Sequence, residues 1–246
     1  MKEIINAEGL HYKELNEKIH NTLLKDSVDE IVLENVVGQR YIAAGLNKKV
    51  RFIINGTAGN DLGIFMDGAE IFVNGNAQDG VGNTMNSGKI VVNGSAGDVI
   101  GYGMRGGCIY IKKDAGYRVG IHMKSYKENF PVIVIGGSAG DFLGEYMAGG
   151  VIIVLGLYSD KLPVGDFVGT GMHGGSIYIK RKNIDERLLG KEVKTKDLSK
   201  EDMDLISKYV GDFCKYFSLE QKEILNENFI KLYPYSSRPY GRLYAY

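Results

Sequence analysis

Cysteine is almost missing from this chain of 246 residues: Cys108 and Cys214 stand far apart, with no CxxC spacing. Two such residues exclude a four-cysteine zinc or iron–sulfur site built by this chain alone, and they fit a reducing compartment with both thiols buried or inert. An excess of charge of one sign is also lacking. Lys plus Arg and Asp plus Glu number 30 each, with no block of like charge, so nucleic acid and anionic membrane surfaces have no electrostatic basis as partners. Long apolar runs are missing too. Lys2, Glu3 and Glu8 interrupt the opening segment, and no later stretch approaches the roughly 20 apolar residues of a membrane span. A cytoplasmic protein is expected. Proline is scarce, at 4 residues, whereas glycine reaches 34, about twice ordinary usage.

Those glycines alternate with β-branched runs such as Val132-Ile-Val-Ile135 and Val151-Ile-Ile-Val154, which is the pattern of turn-rich β structure rather than of a flexible linker. Self-comparison shows why. Arg51-Phe-Ile-Ile-Asn-Gly56, Glu70-Ile-Phe-Val-Asn-Gly75 and Lys89-Ile-Val-Val-Asn-Gly94 are copies spaced by 19 residues, and Met66, Met85, Met104 and Met123 keep the same interval. Two more copies follow after inserted residues, Pro131 to Gly150 with Met147 and Val151 to Gly175 with Met172. Ser176-Ile-Tyr-Ile-Lys180 is a final stub and Ile31 to Lys49 a degenerate first turn.

A repeat this short cannot bury its apolar side alone, so successive copies must stack, each strand pairing with its equivalent one coil on. The expected fold is a parallel β-helix of about seven or eight coils. It is taken as right-handed because no six-residue apolar repeat of the left-handed kind is present. Asn-Gly and Gly-Gly pairs supply the positive φ of the corners, and the methionines form a core column of gap-fillers.

The raw ends of such a stack need caps. Residues 1–30 read as an N-terminal helical cap, on the spacing of Leu15, Ile19 and Leu24, and 31–182 as the parallel β-helix. Residues 183–246 read as a C-terminal helical segment with a Tyr-rich tail. Its helices are marked by two capping-box patterns, Ser199-Lys-Glu-Asp202 and Ser218-Leu-Glu-Gln221, and by the stripe Met203, Ile206, Tyr209, Val210, Phe213 and Phe217.

No motif carries catalysis. Gly101-Tyr-Gly103-Met-Arg-Gly106 and Gly169-Thr-Gly171-Met-His-Gly174 match the dinucleotide pattern G-x-G-x-x-G, but a strand follows each where a helix N-terminus must receive the pyrophosphate. His11, His20, His122 and His173 do not fall at metal spacing. The corner residues Asn60, Asp79, Asp98 and Asp141 are read as Asx-turns rather than as a calcium or sugar site. No catalytic, cofactor-binding or metal residue is therefore assigned. The tail, rich in Tyr and Arg, has the composition of a protein contact patch, which makes Tyr235, Arg238, Tyr240, Arg242 and Tyr244 the candidate partner contacts.

With Gly144-Glu-Tyr-Met-Ala-Gly-Gly150, Val154-Leu-Gly156 and Gly169-Thr-Gly-Met-His-Gly-Gly175, the repeat region resembles the GXGXG domain of glutamate synthase large subunits, a family that also includes the C subunit of formylmethanofuran dehydrogenase. Gly9 to Ile19 and Phe229 to Tyr244 look like the flanks of the stand-alone form of that domain. The resemblance implies a structural role. In such enzymes an amidotransferase with an N-terminal Cys nucleophile releases ammonia from glutamine, a barrel with FMN and an iron–sulfur cluster uses it on 2-oxoglutarate, and the β-helix packs against both. This chain opens Met1-Lys2-Glu3 and lacks cluster cysteines, so none of those catalytic positions carries over. An amidotransferase subunit and an FMN and iron–sulfur synthase subunit are the expected partners. The alternatives are a formylmethanofuran dehydrogenase-like subunit, a carbohydrate-active β-helix and a homo-oligomeric structural protein.

Overall fold

The computed structural model describes residues 1–236. Strand β1 (Lys2–Asn6) opens the sheet and helix α1 (Tyr12–Leu23) follows it. Then come β2 (Glu30–Val37), β3 (Arg51–Thr57), β4 (Asp67–Asn74), β5 (Ser87–Val92), β6 (Cys108–Ile111), β7 (Val132–Ile135), β8 (Ala148–Val154) and β9 (Gly174–Ile179). A 3-10 turn (Glu186–Leu188), β10 (Val193–Lys196), α2 (Lys200–Phe217), α3 (Gln221–Leu225) and β11 (Ile230–Pro234) complete the described chain.

Strands β1 to β9 pair in parallel, each with the next along the chain, as a β-solenoid requires. The repeat dictates the register. Phe52 pairs with Ile71, Ile71 with Ile90, Ile90 with Ile109, Ile109 with Ile133, and so on to Ile177, so that identical positions form columns. The inward column from Phe52 to Ile177 and the methionine column from Met66 to Met172 are fully buried, which bears out the reading of the methionines as core.

About six turns are present, fewer than the seven or eight expected, and the difference arises at the ends. The pairing of β2 with β3 is interrupted by a bulge between Leu33 and Val36. The parallel strand column ends at β9, because its next neighbour, β11, runs antiparallel and pairs in turn with antiparallel β10; beyond it only the corner is continued in parallel, by the bridge of Val168 to Leu189. At the other end the helical segment also contains a strand, β1, that extends the sheet, while Leu15 and Ile19 of α1 seal the core.

The C-terminal helix does not close the end of the stack. Helix α2 lies on the outer face of the sheet, where Ile206, Val210, Phe213, Cys214 and Phe217 pack against Val91, Tyr110, Val134, Ile153 and Tyr178. The reason is in the strands: their outward column is itself apolar and needs a cover. The end is closed instead by Val193 and Leu232 of the antiparallel pair. One capping box forms as expected, Ser199 with Asp202. The other does not: Ser218 takes the left-handed C-cap position of α2 at φ 55°, and the Gln221 side chain donates to Ser207 O at 2.7 Å. Burial raises both thiols, at Cys108 and Cys214, above the ordinary range, in keeping with inert cysteines.

Candidate interaction surface

The corner after each small-residue turn has left-handed backbone at three alternate positions. The middle position is Gly63, Gly82, Gly101, Gly120, Gly144 and Gly169 in successive turns. Ala43 holds the equivalent place in the first turn, but in the regular turns the core leaves room for glycine alone: a Cβ on Gly101 would stand 2.5 Å from Ile133 Cδ1. The outer two positions are not so restricted. The first reads Asp61, Gly80, Val99, Arg118, Phe142, Phe167, and the last Phe65, Thr84, Gly103, His122, Tyr146, Gly171.

A side chain in this conformation costs about 1–2 kcal/mol. Backbone hydrogen bonds to the next turn offset it, from Arg118 N–H to Asp141 O at 2.9 Å, Phe142 N–H to Asp166 O at 2.8 Å and Tyr146 N–H to Thr170 O at 2.8 Å. Gly80 and Gly103 make the same bonds in their own turns, at 2.9 and 2.8 Å, without the strain. The fold therefore does not require Arg, Phe, His or Tyr there.

These side chains build a patch across the later turns. The rings of Phe142 and Phe167 stack at 5.0 Å, those of His122 and Tyr146 at 5.3 Å, and Tyr102 meets His122 edge-on at 5.8 Å. The Arg118 guanidinium lies 5.0 Å from the Phe142 ring centre, and its Nη1 3.6 Å from Glu145 Oε2. That carboxylate oxygen is buried and short of a hydrogen bond. Most of the rings are open to solvent, Phe167 at 52% and Tyr102 at 41% exposed, while Phe142 is half-buried. Such an Arg and aromatic cluster is the composition of a binding hot spot.

A row of carboxylates flanks the patch. Asp79 Oδ1 accepts from the Asp98 N–H at 2.8 Å, Asp98 Oδ1 from the Tyr117 N–H at 2.8 Å, and Asp141 Oδ1 from the Asp166 N–H at 2.9 Å. The corner residues are thus not Asx-turns. Each reaches the following turn, because a side chain at a stacked corner finds the equivalent amide of the next coil nearer than its own. Among the described residues no Lys or Arg nitrogen lies within 4.0 Å of the carboxylates of Asp98, Asp141 or Asp166, and no group of three or more His, Cys, Asp or Glu is placed to hold a metal ion.

The two G-x-G-x-x-G segments are these corners, each leading into a strand, β6 or β9, as expected. His173 Nδ1 lies 3.1 Å from Gly171 O in its own corner. Of the candidate contacts in the tail, Tyr235 is exposed and its ring faces Lys194 Nζ at 5.6 Å, while its N–H donates to Glu192 O. Arg238, Tyr240, Arg242 and Tyr244 lie outside the described residues. The patch itself escaped the sequence reading, although one signal was available: aligned by repeat, bulky residues replace Gly at outer corner positions.

Stacked parallel turns with glycine-locked corners define a β-solenoid whose variable surface is its corner. The chain belongs to the GXGXG motif family, whose model matches residues 2–235. GXGXG domains are parts of glutamate synthase oxidoreductases. The chain is also similar to the uncharacterized protein MJ1350 of Methanocaldococcus jannaschii, with 49% identity over 251 aligned positions that cover 98% of this chain and 96% of the relative. No helix among the described residues is long and apolar enough to cross a membrane.

Proposed function

We propose that this chain is a structural subunit of a glutamate synthase-type complex, working in the cytoplasm and non-catalytic by itself. It holds a glutamine amidotransferase subunit and an FMN and iron–sulfur synthase subunit in fixed relation, so that glutamate forms from glutamine and 2-oxoglutarate. The observation that carries the reading is the GXGXG match across residues 2–235. The physical properties agree with it. A solenoid whose columns continue from turn to turn is stiff, and holding two active sites in register depends on stiffness.

The test is an affinity pull-down of the tagged chain from native extract, with mass spectrometry of the bound proteins and an assay of the eluate for glutamine-dependent glutamate formation. Recovery of an amidotransferase and a flavin and iron–sulfur synthase is the expected result. Recovery of molybdenum or tungsten enzyme subunits would move the chain to a formylmethanofuran dehydrogenase-like complex, and recovery of neither would overturn the subunit reading.

A further inference from the structure

The corner patch carries more information than that a partner binds. Its rings are stacked, those of Phe142, Tyr146 and Phe167 are held on left-handed backbone that glycine would relieve, and Tyr102, Tyr146 and Phe167 are exposed. Arg118 of the patch is already matched by Glu145. The charges left over are those of Asp141 and Asp166, on successive turns, and of Asp98, two turns before Asp141 with Tyr117 at the corner between them, all without a cation within 4.0 Å among the described residues. At about 4.8 Å per turn, Asp141 and Asp166 lie within one Debye length, about 8 Å at physiological salt, and act on a bound cation together, while Asp98, two turns or about 10 Å from Asp141, adds to the same field at its edge. An acidic partner is repelled by this row, whereas an aromatic surface beside carboxylates suits a guanidinium, which stacks on the ring and hydrogen-bonds the acid. Arg118 shows that this surface accepts one: its own guanidinium rests on Phe142 at 5.0 Å.

We propose that the corner formed by Phe142, Phe167, Tyr102 and Tyr146 with Asp98, Asp141 and Asp166 is a docking site for a basic segment of a partner protein, one with arginines next to apolar side chains. This deepens the subunit reading and rests on it for the identity of the partner, but the chemistry of the surface can be tested by itself.

The probe is a fluorescent peptide of about twelve residues repeating Arg-Pro-Leu, the length of an extended recognition segment. It is titrated with the full chain and compared with its Glu-Pro-Leu counterpart. Two variants bear on the site. The triple change Asp98→Asn, Asp141→Asn, Asp166→Asn removes charge but keeps the oxygen that accepts the backbone N–H, and Phe142→Ser with Phe167→Ser removes one stack. Met203→Ser, on the exposed side of α2, is the control, and melting curves confirm that each variant is folded.

The expected result is that the arginine peptide binds at least about tenfold tighter than the glutamate peptide, weakens with salt, and loses about tenfold in each patch variant but not in the control. Equal binding of the two peptides, or patch variants that bind as the parent does, would overturn the inference. In the pull-down, patch variants that still hold the recovered subunits would overturn it while leaving the subunit reading intact. Failure of the unaltered chain to recover any subunit would overturn the subunit reading, and the peptide titration would still decide the chemistry of the surface.

Discussion

Replacing Asp202 by Asn tests how the helical cover is held. Asp202 is buried at the start of α2, where its Oδ1 accepts from Tyr178 Oη at 2.5 Å and Lys231 Nζ at 2.7 Å, and its Oδ2 from the Ser199 N–H at 2.9 Å. One carboxylate thus joins α2 to β9 and β11. Burial disfavours its charge, but the bonds from Lys231 and Tyr178 and the Ser199 amide outweigh burial and hold its pKa at about 2. Against an ordinary value near 4, that gap corresponds to about 2.5 kcal/mol of stability. The folded pKa is depressed, so this stability is fully present above pH about 4 and is lost as pH falls toward about 2. Asp202→Asn should melt about 5–10 °C lower at pH 7, and the difference from the parent should shrink on acidification through that window. Because a solenoid is stabilised turn by turn, amide exchange should quicken in α2, β9 and β11 and stay unchanged in β3 to β5. Equal melting of variant and parent at pH 7, or a difference that persists undiminished at pH 2, would refute the argument.

Gly101→Ala should destabilise by about 2–4 kcal/mol, since φ is 67° and the new Cβ meets Ile133 at 2.5 Å; an unmoved urea midpoint would contradict the assignment of that corner. Asp98→Ala should cost about 1 kcal/mol by stranding the Tyr117 amide, while Asp98→Asn should restore most of it. Equal melting of the two would deny the bond between turns. Phe142→Gly with Phe167→Gly should leave stability within about 1 kcal/mol of the parent, as relief of left-handed strain offsets lost stacking. A loss of several kcal/mol in that variant would place the rings in the fold's own packing.

The sequence made the solenoid legible because a 19-residue period puts chemically equal positions into columns, and the columns from Phe52 to Ile177 and Met66 to Met172 are that period in space. What it concealed depends on distances between turns. The aspartates at the corners have the local pattern of an Asx-turn, and only stacking shows that Asp98 reaches Tyr117 rather than its own loop. Ser218-Leu-Glu-Gln221 has the letters of a capping box, yet α2 runs on to Phe217 and leaves Ser218 as its last cap. The stripe on α2 announced a buried face but not what it faces. The outward residues Val91, Tyr110 and Tyr178 supplied that answer, and alternation along single strands did not single them out because both sides of those strands are apolar.

A repeat fold separates positions that cannot vary from positions that can, and this separation is what gives the patch its meaning. From Gly63 to Gly169 the middle glycine of the corner is fixed by the core two strands on. From Asp61 to Tyr146 the outer positions keep the same backbone and the same hydrogen bonds to the next turn whatever side chain they carry, so the fold gains little from Phe142 over the glycine of an equivalent turn and bears the strain of a bulky residue there. A single such residue could be an accident of drift within the stability margin. Arg118, His122, Phe142, Tyr146 and Phe167 occupy five outer corner positions on neighbouring turns, each adding strain, and their rings form two stacks, one of which carries the Arg118 guanidinium on Phe142. Strain that recurs at adjoining solvent-facing sites and assembles a contiguous surface is explained by what that surface contacts.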